Sequence, residues 1–268
     1  MEAAELYRAG RLDEAIAAQI AAVKAAPTDA DRRYFLFGLL AFTGDWERAG
    51  RQLDALGIQD QAIQAGSAVY QSLLAAARER REVWAAGHPP LIPPDPPAHL
   101  RERLALLAAL AGGDLAAAAA ARTAAEAAAP ALRGEINGRP LRALRDQDDV
   151  LGSVLEVFAG GRCLWLPLEH LRSAACEPPR HLLDLIWRPL RLVDAAGVTA
   201  SVHLPALYAG SGGAADDELR LGRGTDWLDQ GAAIWRGVGQ RVLTYADGEE
   251  ALQALGVLEL RSLSLETN

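Results

Sequence analysis

"AGRLDEAIAAQIAAVKAAP" (residues 9–27) and "TGDWERAGRQLDAL" (residues 43–56) begin alike, and their spacing sets the reading of the N-terminal half. Gly10 and Gly44 are 34 residues apart, and so are Ala15 and Ala49. That is the tetratricopeptide period. The pattern has a mechanism: glycine takes positive φ just past a helix end without strain, so each Gly can close the first helix of a pair. The small Ala lets the second helix approach the first, and Pro27 stops that second helix. Leu36 and Leu53 fill further core positions, whereas Phe37 stands where such a repeat usually has a small residue.

Outward from these two units, "AGGDLAAAAAARTAAEAAAP" (residues 111–130) reads as a third, degenerate copy, with Gly113 placed 69 residues after Gly44. Gln61–Trp84 reads as one longer helix. "GHPPLIPPDPPAH" (residues 87–99) holds six prolines and reads as an extended, semi-rigid connector, either a packed loop or a ligand for an SH3-type domain.

After Pro130 the texture changes. "SVLEVFAG", "CLWLPL", "PLRLVDAAG", "ASVHLPALY", "ELRLGR", "GQRVLTYADG" and "VLELRSLSL" read as short strands bounded by turn residues. "EHLRSAAC", "PPRHLLDLIW" and "GEEALQALG" read as short helices. The expected fold class is therefore multidomain α and α+β. Tetratricopeptide-like helical hairpins over residues 1–128 precede a mixed α+β domain over residues 135–268.

The totals narrow the function classes. In 268 residues, 27 basic and 35 acidic side chains give a net charge of −8, and the excess acid lies mainly in residues 135–268. That argues against a nucleic-acid partner, which normally requires a basic face. Two cysteines are too few for a secreted disulfide scaffold. The opening "MEAAELYRAG" lacks the apolar stretch of a signal peptide, and no run has the length of a membrane span, so a cytoplasmic protein with no membrane association is expected.

Candidate chemistry is sparse. Cys163, His170, Cys176 and His181 have the residue types of a tetrahedral zinc site but lack the short spacing between cysteines, so no metal and no cofactor are expected. A nucleophilic set from Cys163 or Cys176, His181 or His203, and Asp184 or Asp226 would have to converge in space. There is no G-x-S-x-G elbow, and "RGVGQR" (residues 236–241) lacks the last glycine of a dinucleotide fingerprint. The chain is not expected to be an enzyme. "ELRLGRGTDWLDQ" (residues 218–230) is where an active-site loop would be sought, but Arg220, Arg223 and Asp226 around a glycine turn read as an ion-paired corner with Trp227 closing the core. "AGSGGAADDE" (residues 209–218) reads as an acidic surface loop.

The informative stretch is "RRYFLFGLLAF" (residues 32–42). Tyr34, Phe35, Leu36, Phe37, Leu39, Leu40 and Phe42 surround the whole helix axis, although an amphipathic helix needs one apolar stripe. Either this is a buried central helix, or part of it lines a groove for a partner's amphipathic helix. On the second reading Tyr34, Phe35, Phe37, Phe42, Trp46, Tyr70 and Trp84 are the candidate partner-binding residues, with an acidic rim setting orientation. Burial between identical subunits is a third possibility, giving a homo-oligomeric scaffold.

"DQDDVLGSVLEVFAGGRCLWLPLEHL", "PPRHLLDLIWRPLRL", "VHLPALYAGS" and "LRLGRGTDWLD…GVGQRVLTYADGEE" together resemble the ImpE family, also called TagJ or SciE, accessory proteins of bacterial type VI secretion systems. The resemblance implies a helical region followed by an α+β domain. It also implies a non-enzymatic adaptor that binds the N-terminal helix of the small subunit of the contractile sheath. Asp184, Trp187, Arg223, Thr225, Asp226, Trp227, Gly239, Gln240 and Arg241 fall within the matching strings and are expected to be structural. "RPLRL" departs from the family, which commonly has Pro-Ala shortly after the Trp.

Overall fold

The computed structural model describes residues 1–57, 61–247 and 252–266. The helical part comprises α1 (Ala3–Arg8), α2 (Leu12–Ala25), α3 (Ala30–Phe42), α4 (Trp46–Gly57), α5 (Gln61–Ala86), α6 (Ala98–Ala111) and α7 (Leu115–Ala127). Gly10, Gly44 and Gly113 end α1, α3 and α6 with φ of 74°, 71° and 75°. At α1 and α6 the six-to-one bonds are also present, from Arg11 N to the Leu6 carbonyl and from Asp114 N to the Ala109 carbonyl, both at 2.9 Å. These bonds satisfy carbonyls that a helix end otherwise leaves orphaned. The alanine five residues after each glycine (Ala15, Ala49 and Ala118) is fully buried, as the close approach of paired helices requires.

The strand-rich part comprises β1 (Arg133–Ile136), β2 (Arg139–Asp146), β3 (Val154–Ala159), β4 (Arg162–Pro167), β5 (Leu171–Ala175), β6 (Trp187–Asp194) and β7 (Thr199–Pro205). After these come the short helix α8 (Asp217–Arg220), then β8 (Thr225–Asp229), β9 (Trp235–Gly239), β10 (Val242–Ala246), β11 (Leu252–Gly256) and β12 (Ser262–Leu265). Ten strands form one sheet in the order β11-β10-β2-β1-β12-β5-β6-β7-β3-β4, while β8 and β9 pair separately. The strand pairings are antiparallel. The proline segment lies along the β4 edge: Leu91 N donates to the Cys163 carbonyl and Trp165 N to the Leu91 carbonyl, both at 2.9 Å. A short extended stretch that takes up open edge groups blunts that edge against foreign strands.

Three local readings are corrected. "EHLRSAAC" is not a helix: a 3-10 turn at Leu168–His170 leads into β5, which pairs with β12 on one side and β6 on the other. Of "GEEALQALG", Leu252–Gly256 is strand β11 against β10, and residues 248–251 lie outside the described residues. In both, pairing overrides the helix propensity of Leu and Ala. "ELRLGR" is not a strand, because Asp216 caps the first turn of α8 by accepting from Glu218 N. Strands β1, β2, β8 and β9 had no counterpart in the strand reading.

The two parts share a core. One cluster joins Leu12, Phe37, Leu40 and Phe42 from the helices to Phe158, Trp165, Trp187 and Ile234 from the strand-rich part. A second cluster lies within the sheet, around Leu144, Val157, Leu204 and Leu263.

Candidate functional site: an aromatic cleft between helices and sheet

Helices α3 to α5 meet the sheet at a cleft of about 340 Å³, to which Phe42, Trp46 and Trp84 contribute from one side and Trp187 and Tyr208 from the other. The aromatic contacts run on from it. Trp187 lies 5.7 Å from Trp46 and 6.4 Å from Phe37, and Phe37 lies 5.6 Å from Tyr70 (ring centroids). The Tyr70 hydroxyl is 2.8 Å from that of Tyr34. Phe35 and Phe42 flank Tyr7 at 6.3 and 6.0 Å. The seven aromatic residues singled out thus fall in one region, but with different access. Phe37 and Phe42 are 0% and 1% exposed, whereas Tyr34 is 36% exposed and Phe35, Trp46 and Tyr70 are part-buried. Trp84 is buried against Trp165, at 5.7 Å.

Among the described residues the charged ones lining the cleft are Arg80, Arg81 and Arg236, and the acids expected to rim it are not among the lining residues. These guanidiniums are already committed. Glu156 on β3, fully buried, receives Arg80 at 2.6 Å, Trp84 Nε1 at 2.7 Å and Trp165 Nε1 at 3.2 Å. Arg236 stacks 4.1 Å over the Trp84 ring and approaches Asp148 at 3.7 Å. Behind them Arg241 bonds Asp146 at 2.9 Å and lies 3.9 Å from Glu156, with all three side chains fully buried. Asp146 also accepts from Tyr208 Oη at 2.9 Å and from Asp148 N. The cleft wall is therefore a set of aromatic faces and arginine stems, with Arg80 and Arg236 held against buried carboxylates and Arg81 paired with exposed Glu47 at 3.2 Å. Such a wall suits a large apolar side chain better than an anion, because its cations are already neutralised.

The network has a pH signature. Burial opposes ionisation of Glu156, but Arg80 and Arg241, with hydrogen bonds from Arg80 and Trp84, outweigh it and hold the carboxyl down at about 2. Burial, reinforced by Asp146 against the pull of Arg236, pushes Asp148 up to about 6. A lowered folded pKa contributes stability above the unfolded value of about 4.3, and that stability is lost as pH falls towards 2. A raised one costs stability as pH climbs from about 3.9 to about 6. Urea midpoints between pH 2 and 7 are accordingly expected to fall less steeply on the acid side in Glu156→Gln than in the parent. Parallel curves would show that Glu156 is not held ionised.

The loop at 217–227 is a clamp. Asp217 accepts from Leu12 N at 2.7 Å and so caps α2 from the far end of the chain. Arg220 pairs with Asp13 at 2.8 Å and with Asp217 at 2.7 Å. Arg223 donates to the carbonyls of Tyr7 and Arg8 and lies 5.4 Å over the Tyr7 ring. The expected pairing of these arginines with Asp226 is not formed: Asp226 is exposed and accepts from Trp227 N. Thr225 Oγ1 donates to the Gln240 carbonyl, Trp227 packs 5.8 Å from Tyr208, and Asp184 accepts from the backbone of Arg180 and His181.

In "AGSGGAADDE" the acidic part is a surface segment, with Asp216 and Glu218 exposed, but its glycine-rich start packs inward at Ser211 and Gly212. Ser211 is 1% exposed, donates to the Tyr208 carbonyl and accepts from Gly239 N. A Cβ on Gly212 would stand 2.4 Å from the Thr43 carbonyl carbon, so the close approach of this loop to the end of α3 requires glycine. The missed members of the site, Arg80, Asp146, Asp148, Glu156, Ser211 and Arg236, had one available signal: three of them are acids inside otherwise apolar or turn-like strings.

Cys163 is buried, and burial, then Glu156, push its thiol up, away from the thiolate that nucleophilic attack needs. Cys176 is buried with Sγ 3.5 Å from the Leu260 carbonyl. Among the described residues no three His, Cys, Asp or Glu side chains gather as a metal site, and no helix is long and apolar enough to cross a membrane.

Helices laid on a wide antiparallel sheet define a fold also seen in an X-ray structure of a Vibrio parahaemolyticus protein. That structure matches with a TM-score of 0.89 over 99% of this chain and 98% of that one, at 23% identity, a likeness that speaks for the fold. The family model described as ImpE protein matches residues 138–259. The chain is 41% identical over 266 residues to the type VI secretion system accessory component TagJ of Pseudomonas aeruginosa, covering 99% of this chain and 92% of that protein. The chain belongs to the ImpE family.

Proposed function

We propose that this protein is a cytoplasmic type VI secretion adaptor that binds the N-terminal helix of the small contractile-sheath subunit. Residues 1–128 form a tetratricopeptide-like scaffold and residues 135–268 the ImpE-type domain that packs on it. The observation that carries the reading is the cleft whose apolar faces, Trp46 and Trp187, stand between arginines fixed by buried acids. In this reading Trp46 receives an apolar anchor of the helix, Phe35, Tyr34 and Tyr70 lie on the approach, and Phe37, Phe42 and Trp84 support them from beneath.

The test is calorimetric titration of the full chain with a synthetic peptide covering the N-terminal helix of the small sheath subunit from the same organism. Saturable binding with a negative heat-capacity change is expected, because the anchor buries apolar surface. Trp46→Ala is expected to weaken binding by about 1–3 kcal/mol, as for an interface hot spot of moderate size. No heat at several temperatures with a soluble peptide would sink the reading.

A further inference from the structure

On the side of α3 away from the sheet lies a second concavity, a groove of about 490 Å³ between α2, α3 and α4. Its apolar floor is Ile20 and Val23 of α2 with Leu36 and Leu40 of α3. Gly38, roughly half a turn round the same helix, faces the other way: a Cβ there would meet the Leu182 side chain at 2.6 Å. The groove and the aromatic cleft are therefore on different faces of one helix.

The charge around the groove is opposite to that of the chain. Lys24, Arg33, Arg48 and Arg51 line it, and among the described residues no carboxylate does, in a protein of net charge −8. Arg33 donates to the Pro27 carbonyl and to Gln52, and Arg48 reaches Asp45 at 3.6 Å on an exposed surface. Lys24 and Arg51 are exposed and have no ion-pair partner among the described residues. Uncompensated like charges around an apolar floor repel one another, and a ligand with carboxylates relieves that repulsion. The aliphatic stems of Lys and Arg meanwhile extend the apolar walls.

We propose that this groove is a second docking surface, independent of the aromatic cleft, and that it takes an amphipathic helix whose apolar stripe is flanked by carboxylates. Apolar side chains at i, i+3 and i+4 enter between Ile20, Val23, Leu36 and Leu40. The flanking acids pair with Lys24 and Arg51, one on each side. Such an arrangement selects by charge as well as by shape, and its association is steered and salt-sensitive. Two docking faces on one helix suit a protein that holds two partners at once.

The test uses the full chain and a labelled helical peptide with leucines at i, i+3, i+4 and i+7 and glutamates on both flanks, beside a counterpart with lysines on the flanks. By fluorescence anisotropy at low salt, the glutamate peptide is expected to bind at least about tenfold tighter than the lysine peptide. The charge reversal Lys24→Glu with Arg51→Glu, on exposed positions that leave the fold intact, is expected to remove that preference, whereas Trp46→Ala leaves it unchanged. Lys24 is the only lysine, so carbodiimide coupling of the bound glutamate peptide should map to its Nζ by mass spectrometry. Equal binding of both peptides, unaltered binding to the charge-reversed protein, or coupling confined to the N-terminal amine would overturn the proposal. Failure of the sheath peptide alone would overturn the adaptor reading and leave the groove standing.

Discussion

Arg241→Ala is expected to lower the stability of this protein by about 3–5 kcal/mol, the usual penalty for removing one partner of a buried ion pair. Arg241 is fully buried and donates to Asp146 at 2.9 and 3.2 Å and to the carbonyls of Glu156 and Pro205 at 3.2 and 3.3 Å. Without it, Asp146 keeps Tyr208 Oη and Asp148 N but no cation bonded to it, and Glu156 keeps Arg80 as its one close cation beside the Trp84 and Trp165 N–H donors. The cost comes chiefly from the charges left behind. Replacing both Arg241 and Asp146 by apolar residues is therefore expected to cost less than Arg241→Ala by itself. Urea denaturation of the three proteins measures this. A single variant within about 1 kcal/mol of the parent would show that the buried carboxylates find other compensation.

Phe37→Ala is expected to cost a similar amount, about 3–5 kcal/mol, through the cavity it leaves in a packed seam. Phe37 is fully buried among Tyr34, Tyr70 and Trp187, with ring centroids at 6.2, 5.6 and 6.4 Å. The loss should appear as a lower denaturation midpoint together with a change in near-ultraviolet circular dichroism from the loosened Trp187. A folded Phe37→Ala protein with the parent's midpoint but no partner binding would make Phe37 a contact residue instead of a core residue.

The aromatic stretch at 32–42 shows how far pattern reading reaches. Apolar residues all round a helix leave two choices, burial within the chain or burial by a partner, and nothing local separates them. The fold buries Leu36–Phe42 within the chain and leaves Tyr34 and Phe35 towards the surface. The loop at 218–230 teaches the same lesson from charge. Its structural character was legible, but its partners were not: Arg220 reaches Asp13, and Arg223 reaches the backbone at Tyr7 and Arg8, more than two hundred residues earlier.

By itself the sequence determined the helical pairs and their glycine ends, the change to strands after residue 130, and family membership. These depend on interactions within a few residues, such as the carbonyls that Gly10 and Gly113 leave to be capped, or on strings that survive as text. Strand order, the conversion of residues 171–175 and 252–256 from apparent helix to strand, and the Arg241–Asp146–Glu156 network were decided only by tertiary structure. The long-range neighbours of β5 and β10, which are β12 and β2, and the carboxylate that buried Arg241 finds are chosen by packing between segments more than 85 residues apart. The free energy of such pairing overrides local propensities that differ by less than about 1 kcal/mol per residue.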